Sequence, residues 1–321
     1  MLLQMDSFTP PNAATSVWPP RLPSWTRPRT HDITESDAAF AAGIALKSLD
    51  DLHRTDPPWL GCWRDRLALK SAAVAARMFG RNEDENTIRD TVLLTAFGDD
   101  PGPAGKLFLA TRLMARRSGT VATPFVKEVV TLRGMKWDDS LASIPEIVDS
   151  ANQSGRAAPF AVADLITAIL AVRPDAEVLA LGLADVVLAH KLKWPKPVPM
   201  LLPERFGLAF RTIGGRGRVR PGEPAYSKSI CLASVDGVEA ALRCAVEIDR
   251  RAVRLLAAAT KVRTKGAEPV FRKLLNEDGV SASASGSNLS RWAANRLFER
   301  LEGFEAVREL SGRSSFRIFG L

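Results

Sequence analysis

The chain has 321 residues, of which 46% are hydrophobic and 25% charged, and its mean hydropathy is −0.04. That balance excludes a disordered or membrane-spanning polymer, and the length suits one large domain or two modest ones with a sizeable core. Lys and Arg number 44 against 36 Asp and Glu, so the formal charge is +8 and the pI near 9.7, which favours polyanionic partners without fixing a fold.

In chain order, residues 1–30 carry six prolines together with Trp18 and Trp25. This composition prefers extended geometry, so a proline-rich flexible arm is expected, with the tryptophans pinning it to the body. The start, Met1 to Asp6, has neither the basic region nor the apolar run of a signal peptide. The most apolar stretch, Val178 to Leu192, is interrupted by Asp185, His190 and Lys191. A cytoplasmic protein with no membrane partner is expected. Cys62, Cys231 and Cys244 form no C-x-x-C pair, so neither a disulfide framework nor a zinc site follows.

Residues 31–262 read as an all-α body of about seven to nine helices, because apolar residues recur at three and four rather than two. Thr34 stands three residues before Asp37, a capping-box spacing ahead of Ala38 to Leu52. Pro57-Pro58 opens a helix through Trp59, Trp63, Leu67, Val74 and Met78 that Gly80 closes. Asn82, followed by three acids, starts another; Thr123-Pro124 starts one that stops at Gly134; Pro174-Asp175 starts one that stops before Pro195. A helical-repeat solenoid is the alternative, although no fixed-period consensus supports it.

The helical pattern lapses at 211–224, where Arg211, Arg216, Arg218 and Arg220 lie among four glycines. Such a loop either lies against a phosphate backbone or is solvated, and solvation is preferred. A long helix follows at 226–262. Its apolar residues Val235, Val238, Leu242, Ala245, Ala252, Leu256 and Ala259 are spaced near a heptad, Asp249 falls in that seam, and Gly237 is a candidate break. Packing against the chain's own body is preferred, with a homodimer through this helix as the alternative.

The segment 263–321 has the order of a winged helix-turn-helix. A helix at 268–276 precedes a short Ser/Ala helix at 281–285, Gly286-Ser287-Asn288 as turn and N-cap, and a helix from Leu289 to Gly303. Glu305 to Leu310 and Ser315 to Phe319 then flank Ser311-Gly312-Arg313-Ser314 as a β-hairpin wing. On a helical wheel Leu289, Ala293, Ala294, Leu297, Phe298, Leu301 and Phe304 face inward. Arg291, Asn295, Glu299 and Glu302 face outward, with Trp292 at the edge. Arg and Asn suit bidentate contacts to guanine and adenine, so Arg291 and Asn295 are the candidate base readers. Asn288, Ser290, Arg296, Arg313 and Arg317 are candidate backbone or wing contacts.

Asn288 to Leu301, Val307 to Arg313 and Phe316 to Leu321 together resemble the winged helix-turn-helix at the end of certain bacterial proteins of the Fic-associated type. The histidine motif of Fic enzymes is missing, so that resemblance carries no AMP transfer. Upstream, Pro57-Pro-Trp59, Gly98-Asp-Asp-Pro-Gly-Pro-Ala-Gly-Lys106 and Arg173-Pro-Asp-Ala-Glu177 resemble a bacterial family known as domain-of-unknown-function family 1403. That resemblance spans nearly the whole chain after the arm and implies an all-α body with a winged-helix end, without an activity.

Catalytic signals are weak. Pro101 to Lys106 imitates a phosphate loop, but Leu107 replaces the required hydroxyl residue. His31, His53 and His190 are too dispersed for a local ligand pair, and the acid pairs Asp50-Asp51, Asp99-Asp100 and Asp138-Asp139 suit caps and turns. The expectation is a non-enzymatic protein without cofactor or metal that binds duplex DNA, in transcriptional control or as an accessory factor in replication or recombination. A protein-docking scaffold is the first alternative and a helical enzyme such as a nuclease the second.

Overall fold

The computed structural model describes residues 18–26, 33–96, 98–212, 217–262, 264, 266–282, 289–312 and 316–321. Most of the expected arm, and His31, lie outside the described residues. Of the arm's tryptophans, Trp18 packs partly buried against the core, whereas Trp25 is exposed.

Helix ends follow local chemistry. Helix α1 (Glu35–Thr55) begins where the Thr34 hydroxyl accepts from the Asp37 N–H (3.1 Å) while the Asp37 carboxylate accepts from the Thr34 N–H (3.0 Å). This reciprocal capping satisfies two backbone donors that the first helical turn leaves without partners. Helix α2 (Leu60–Met78) follows Pro57-Pro58 and is terminated at Gly80, whose φ of +71° a residue with a Cβ adopts only under strain. Helix α3 (Glu85–Leu94) starts after Asp84 rather than Asn82, because the Asp84 carboxylate accepts from the Thr87 N–H at 2.8 Å.

Then come α4 (Gly102–Ala115), α5 (Thr123–Leu132), α6 (Asp139–Ala142), α7 (Ile144–Gln153), α8 (Ala158–Val172), α9 (Glu177–Lys191) and, after two 3₁₀ turns, α10 (Tyr226–Ala259). The described body thus has ten α-helices, above the expected number, partly because Asp138 caps the single-turn α6 by accepting from the Leu141 N–H. Among the described residues no helix is long and apolar enough to cross a membrane.

Helix α10 lies along α1 and also packs on α8 and α2, while α2 packs on α4 and α3. Gly237 does not break α10. A Cβ at that position would lie 2.6 Å from the Met200 carbonyl oxygen, so the glycine lets the chain at Met200 cross the helix closely. Val235, Val238, Leu242, Ala245 and Ala252 are all buried within this one chain. Asp249, which looked out of place in that seam, accepts from the Trp59 Nε1–H at 2.9 Å. The heptad-like stripe is a core face as far as Ala252, and its last members, Leu256 and Ala259, are half-buried.

The C-terminal segment comprises α11 (Glu268–Asn276), β1 (Val280–Ser281), α12 (Arg291–Gly303), β2 (Arg308–Glu309) and β3 (Ile318–Gly320). The strands form an antiparallel sheet in the order β1-β3-β2, with Val280 opposite Phe319 and Arg308 opposite Gly320. The short helix expected at 281–285 is corrected at its start, since Ser281 pairs with Ile318 and the Ala282 N–H donates to the Arg317 carbonyl. Residues 283–285 lie outside the described residues. Ala294, Leu297, Phe298 and Leu301 of α12 are buried, and the Phe298 ring stacks on Phe319 with centroids 4.5 Å apart and planes 5° apart.

Candidate nucleic-acid interface

The structure starts α12 at Arg291 rather than Leu289. Ser290, and not Asn288, is the N-cap, its hydroxyl accepting from the Ala293 N–H at 3.2 Å. Asn288 itself lies outside the described residues, as do Arg216 and Arg313. Arg291, Asn295 and Arg296 are exposed along the first two turns, with no acid before Glu299. Trp292 is 66% exposed, and the Arg296 guanidinium sits 4.7 Å from its ring centroid. Phe304, expected inward, is 39% exposed instead, because the helix ends before its side chain reaches the core.

Arg317 is placed differently from the other candidates. Its guanidinium donates to Glu309 at 2.8 Å and to Glu302 at 3.2 Å, and lies 4.8 Å from the Phe319 ring centroid. Glu309 first, and Glu302 with it, hold the Arg317 guanidinium above its ordinary range. It ties α12 to β2 and β3, which takes it out of the set of unengaged cations.

The basic loop is partly folded onto the body. Arg211 and Arg218 form an isolated antiparallel bridge, and the Val219 N–H donates to the Phe210 carbonyl at 2.8 Å. Arg218 is half-buried, donates to the Arg205 carbonyl, and joins Arg77 and Arg205 around the Phe206 ring. Arg211 and Arg220 are exposed.

The C-terminal segment is fastened to the body by a buried cluster that local sequence patterns do not reveal. The Asp278 carboxylate accepts from Arg66 of α2 and, at 2.5 Å, from Arg89 of α3. All three side chains are at least 95% buried. Burial raises the Asp278 carboxyl, yet the two guanidiniums outweigh it and hold it below the usual range. Arg66 also donates to the Leu321 carbonyl at 3.0 Å, so the sheet's last strand is held from the same point.

A second feature that no motif announces is a run of six Lys and Arg from Arg250 to Lys265 with no acid among them. In the structure Arg250 and Lys261 are exposed at the end of α10, Arg254 pairs with Glu305, and Lys261 lies 5.9 Å from the Phe304 ring centroid. The run was legible as charge, and only the fold sets it beside α12.

The other motifs have structural explanations. Lys106 of the phosphate-loop imitation donates to Asp100 at 2.7 Å in the turn that opens α4. Cys62, Cys231 and Cys244 are buried free thiols. His53 is a core residue, its ring stacked 4.8 Å from Trp194. Among the described residues no group of three or more His, Cys, Asp or Glu is arranged to hold a metal ion.

No curated protein matches the chain. The sequence model of one family, described as a protein of unknown function (DUF1403), matches residues 11–321, and on that near-complete match the chain belongs to this family.

Proposed function

We propose that this protein binds duplex DNA, with α12 as the recognition helix of a winged helix and the β2–β3 hairpin as its wing. The observation that carries the reading is the polar face of α12. Arg291, Asn295 and Arg296 stand exposed on its first two turns, whereas Ala294, Leu297, Phe298 and Leu301 are buried. The order helix, strand, helix, hairpin and the sheet order β1-β3-β2 support it. Arg291 and Asn295 carry the donor and acceptor groups that read guanine and adenine edges in a major groove, while Arg296 and Lys261 supply phosphate contacts. A role in transcriptional control, or as an accessory factor in replication or recombination, fits such a module.

Fluorescence titration of the full chain against a random duplex at two salt concentrations tests the reading. Binding through phosphates weakens steeply with salt, and absence of binding at the lower salt rejects it. The double substitution Arg291→Ala and Asn295→Ala should reduce sequence preference more than general affinity; an equal loss on every duplex rejects base reading. A second reading, docking of a protein, is favoured by the exposed Trp292, Phe304 and Phe316, all in the C-terminal segment. Its binding would show little dependence on salt.

A further inference from the structure

We propose that the cleft between α2, α3, α10 and β2 is a binding site for a small multivalent anion carrying phosphate or carboxylate groups. The cleft has a volume of about 270 Å³ and is lined by Arg66, Lys70, Arg89 and Arg308 together with Glu85 and Glu247. This inference rests on the seam between the body and the C-terminal segment, and is independent of whether α12 reads DNA.

The charges in the cleft do not cancel. Arg66 and Arg89 share the single carboxylate of Asp278. The side chains of Lys70 and Arg308 make no hydrogen bond or ion pair with any described residue. Glu309, at the rim, is engaged by Arg317. Four cations therefore face Asp278, Glu85 and Glu247, and burial pushes the Glu85 carboxyl up toward its neutral form. Arg251 brings a further guanidinium close by. Burial, and then the neighbouring Arg308 and Arg250, draw it below its ordinary range. Like charges gathered at a half-enclosed seam in excess of the carboxylates there repel one another, and a bound anion relieves that repulsion.

Geometry selects more than one anionic group. Lys70 comes from α2 in the body, whereas Arg308 comes from β2 in the C-terminal segment, so they approach an occupant from two different parts of the fold. A ligand bridging them joins the two parts where Asp278 already clamps them. Its binding would therefore add to the stability of that seam.

Calorimetric titration of the full chain with pyrophosphate and, separately, with citrate, at constant ionic strength, tests the proposal. One or both should bind with one-to-one stoichiometry. Lys70→Gln and Arg308→Gln should each weaken that binding about tenfold or more, the worth of a charge-assisted contact. Lys196→Gln, at an exposed position away from the cleft, should leave it unchanged. Lys70 is half-buried and Arg308 exposed, so both variants should melt like the parent without ligand. Binding of pyrophosphate alone or of citrate alone supports the site and assigns its class. Failure of both to bind, or equal binding by the Lys70 and Arg308 variants, overturns it.

Discussion

Arg66 and Asp278, 212 positions apart in sequence, form a buried ion pair that holds the last three strands of the chain onto its second helix. Taking such charges out of water is costly, and the pair persists because Asp278 receives two guanidiniums at once while Arg66 finds a further acceptor in the Leu321 carbonyl. Asp278→Ala leaves Arg66 and Arg89 buried face to face. It should lower the unfolding free energy by about 3–5 kcal/mol, read as a shift of the urea midpoint. Replacing all three residues by Met or Leu should cost less than the single change, since no charge is then left without a partner. The Asp278 carboxyl lies below the usual range, so its contribution is complete above about pH 4 and fades as pH falls through and below that value.

Two glycines in helix interiors should respond to alanine with opposite signs. In α10, a Cβ at Gly237 meets the Met200 carbonyl at 2.6 Å, and neither backbone can move without disturbing the packing around it. Gly237→Ala should destabilise by about 1–3 kcal/mol. In α1, Gly43 is exposed and a Cβ there meets nothing within 4 Å. Gly43→Ala should stabilise by about 0.5–1 kcal/mol, by reducing the freedom of the unfolded chain. Thermal melts of the two variants, each against the parent, check both signs.

His53 makes the fold sensitive to mild acid. Its ring is stacked on Trp194 and set edge-on to Trp63, and burial pushes its pKa down to about 4 against the opposing effect of the hydrogen bond that Nδ1 makes to the Leu49 carbonyl. Above pH 6.5 the ring is neutral in both the folded and the unfolded chain, so it adds no pH dependence. Between pH 6.5 and about 4 only the unfolded chain takes up the proton, and stability falls as pH falls. At pH 4.5 the loss should reach about 2–3 kcal/mol relative to pH 7. Urea midpoints of the parent and of His53→Phe at the two pH values isolate this part. The variant should lose less, and equal losses would mean that the ring is already accessible to protons.

What was legible in the sequence is local chemistry. The Thr34–Asp37 spacing, the Pro57-Pro58 start, the Gly80 stop and the inward Ala294, Leu297, Phe298 and Leu301 of α12 each concern residues within one to three helical turns, and the fold uses them where they stand. Illegible features depend on partners far along the chain. Asp278 sits beside Gly279 like any turn residue, and nothing nearby announces that two arginines of the body will close on it. Ser281 looks like the start of a Ser/Ala helix because its strand partner, β3, lies almost at the end of the chain. Gly237 resembled a break for the same reason, since Met200, the residue that needs its missing side chain, belongs to another segment. Arg317 belongs to this class too. Its place on the wing suggests a backbone contact to DNA, whereas Glu302 arrives from a different element to bind it.

Two arginines of the C-terminal segment, Arg296 and Arg317, can be told apart experimentally. Arg296 is exposed on the second turn of α12 and, among the described residues, leans on the Trp292 ring alone, so in the proposed complex its charge is available to a phosphate. Arg296→Ala should weaken binding by a similar factor on every duplex and reduce the steepness of the log–log salt dependence by about 1, the loss of one phosphate contact. Arg317 is already engaged by Glu309 and Glu302 and only about one-third exposed. Arg317→Ala should leave the salt slope nearly unchanged and instead lower stability by about 0.5–1 kcal/mol, a modest loss because solvent screens the pair. Anisotropy titrations across a series of salt concentrations, with a melt of each variant, resolve the two effects. A full unit of slope lost with Arg317→Ala and none with Arg296→Ala would mean that the hairpin, and not α12, lies against the phosphates.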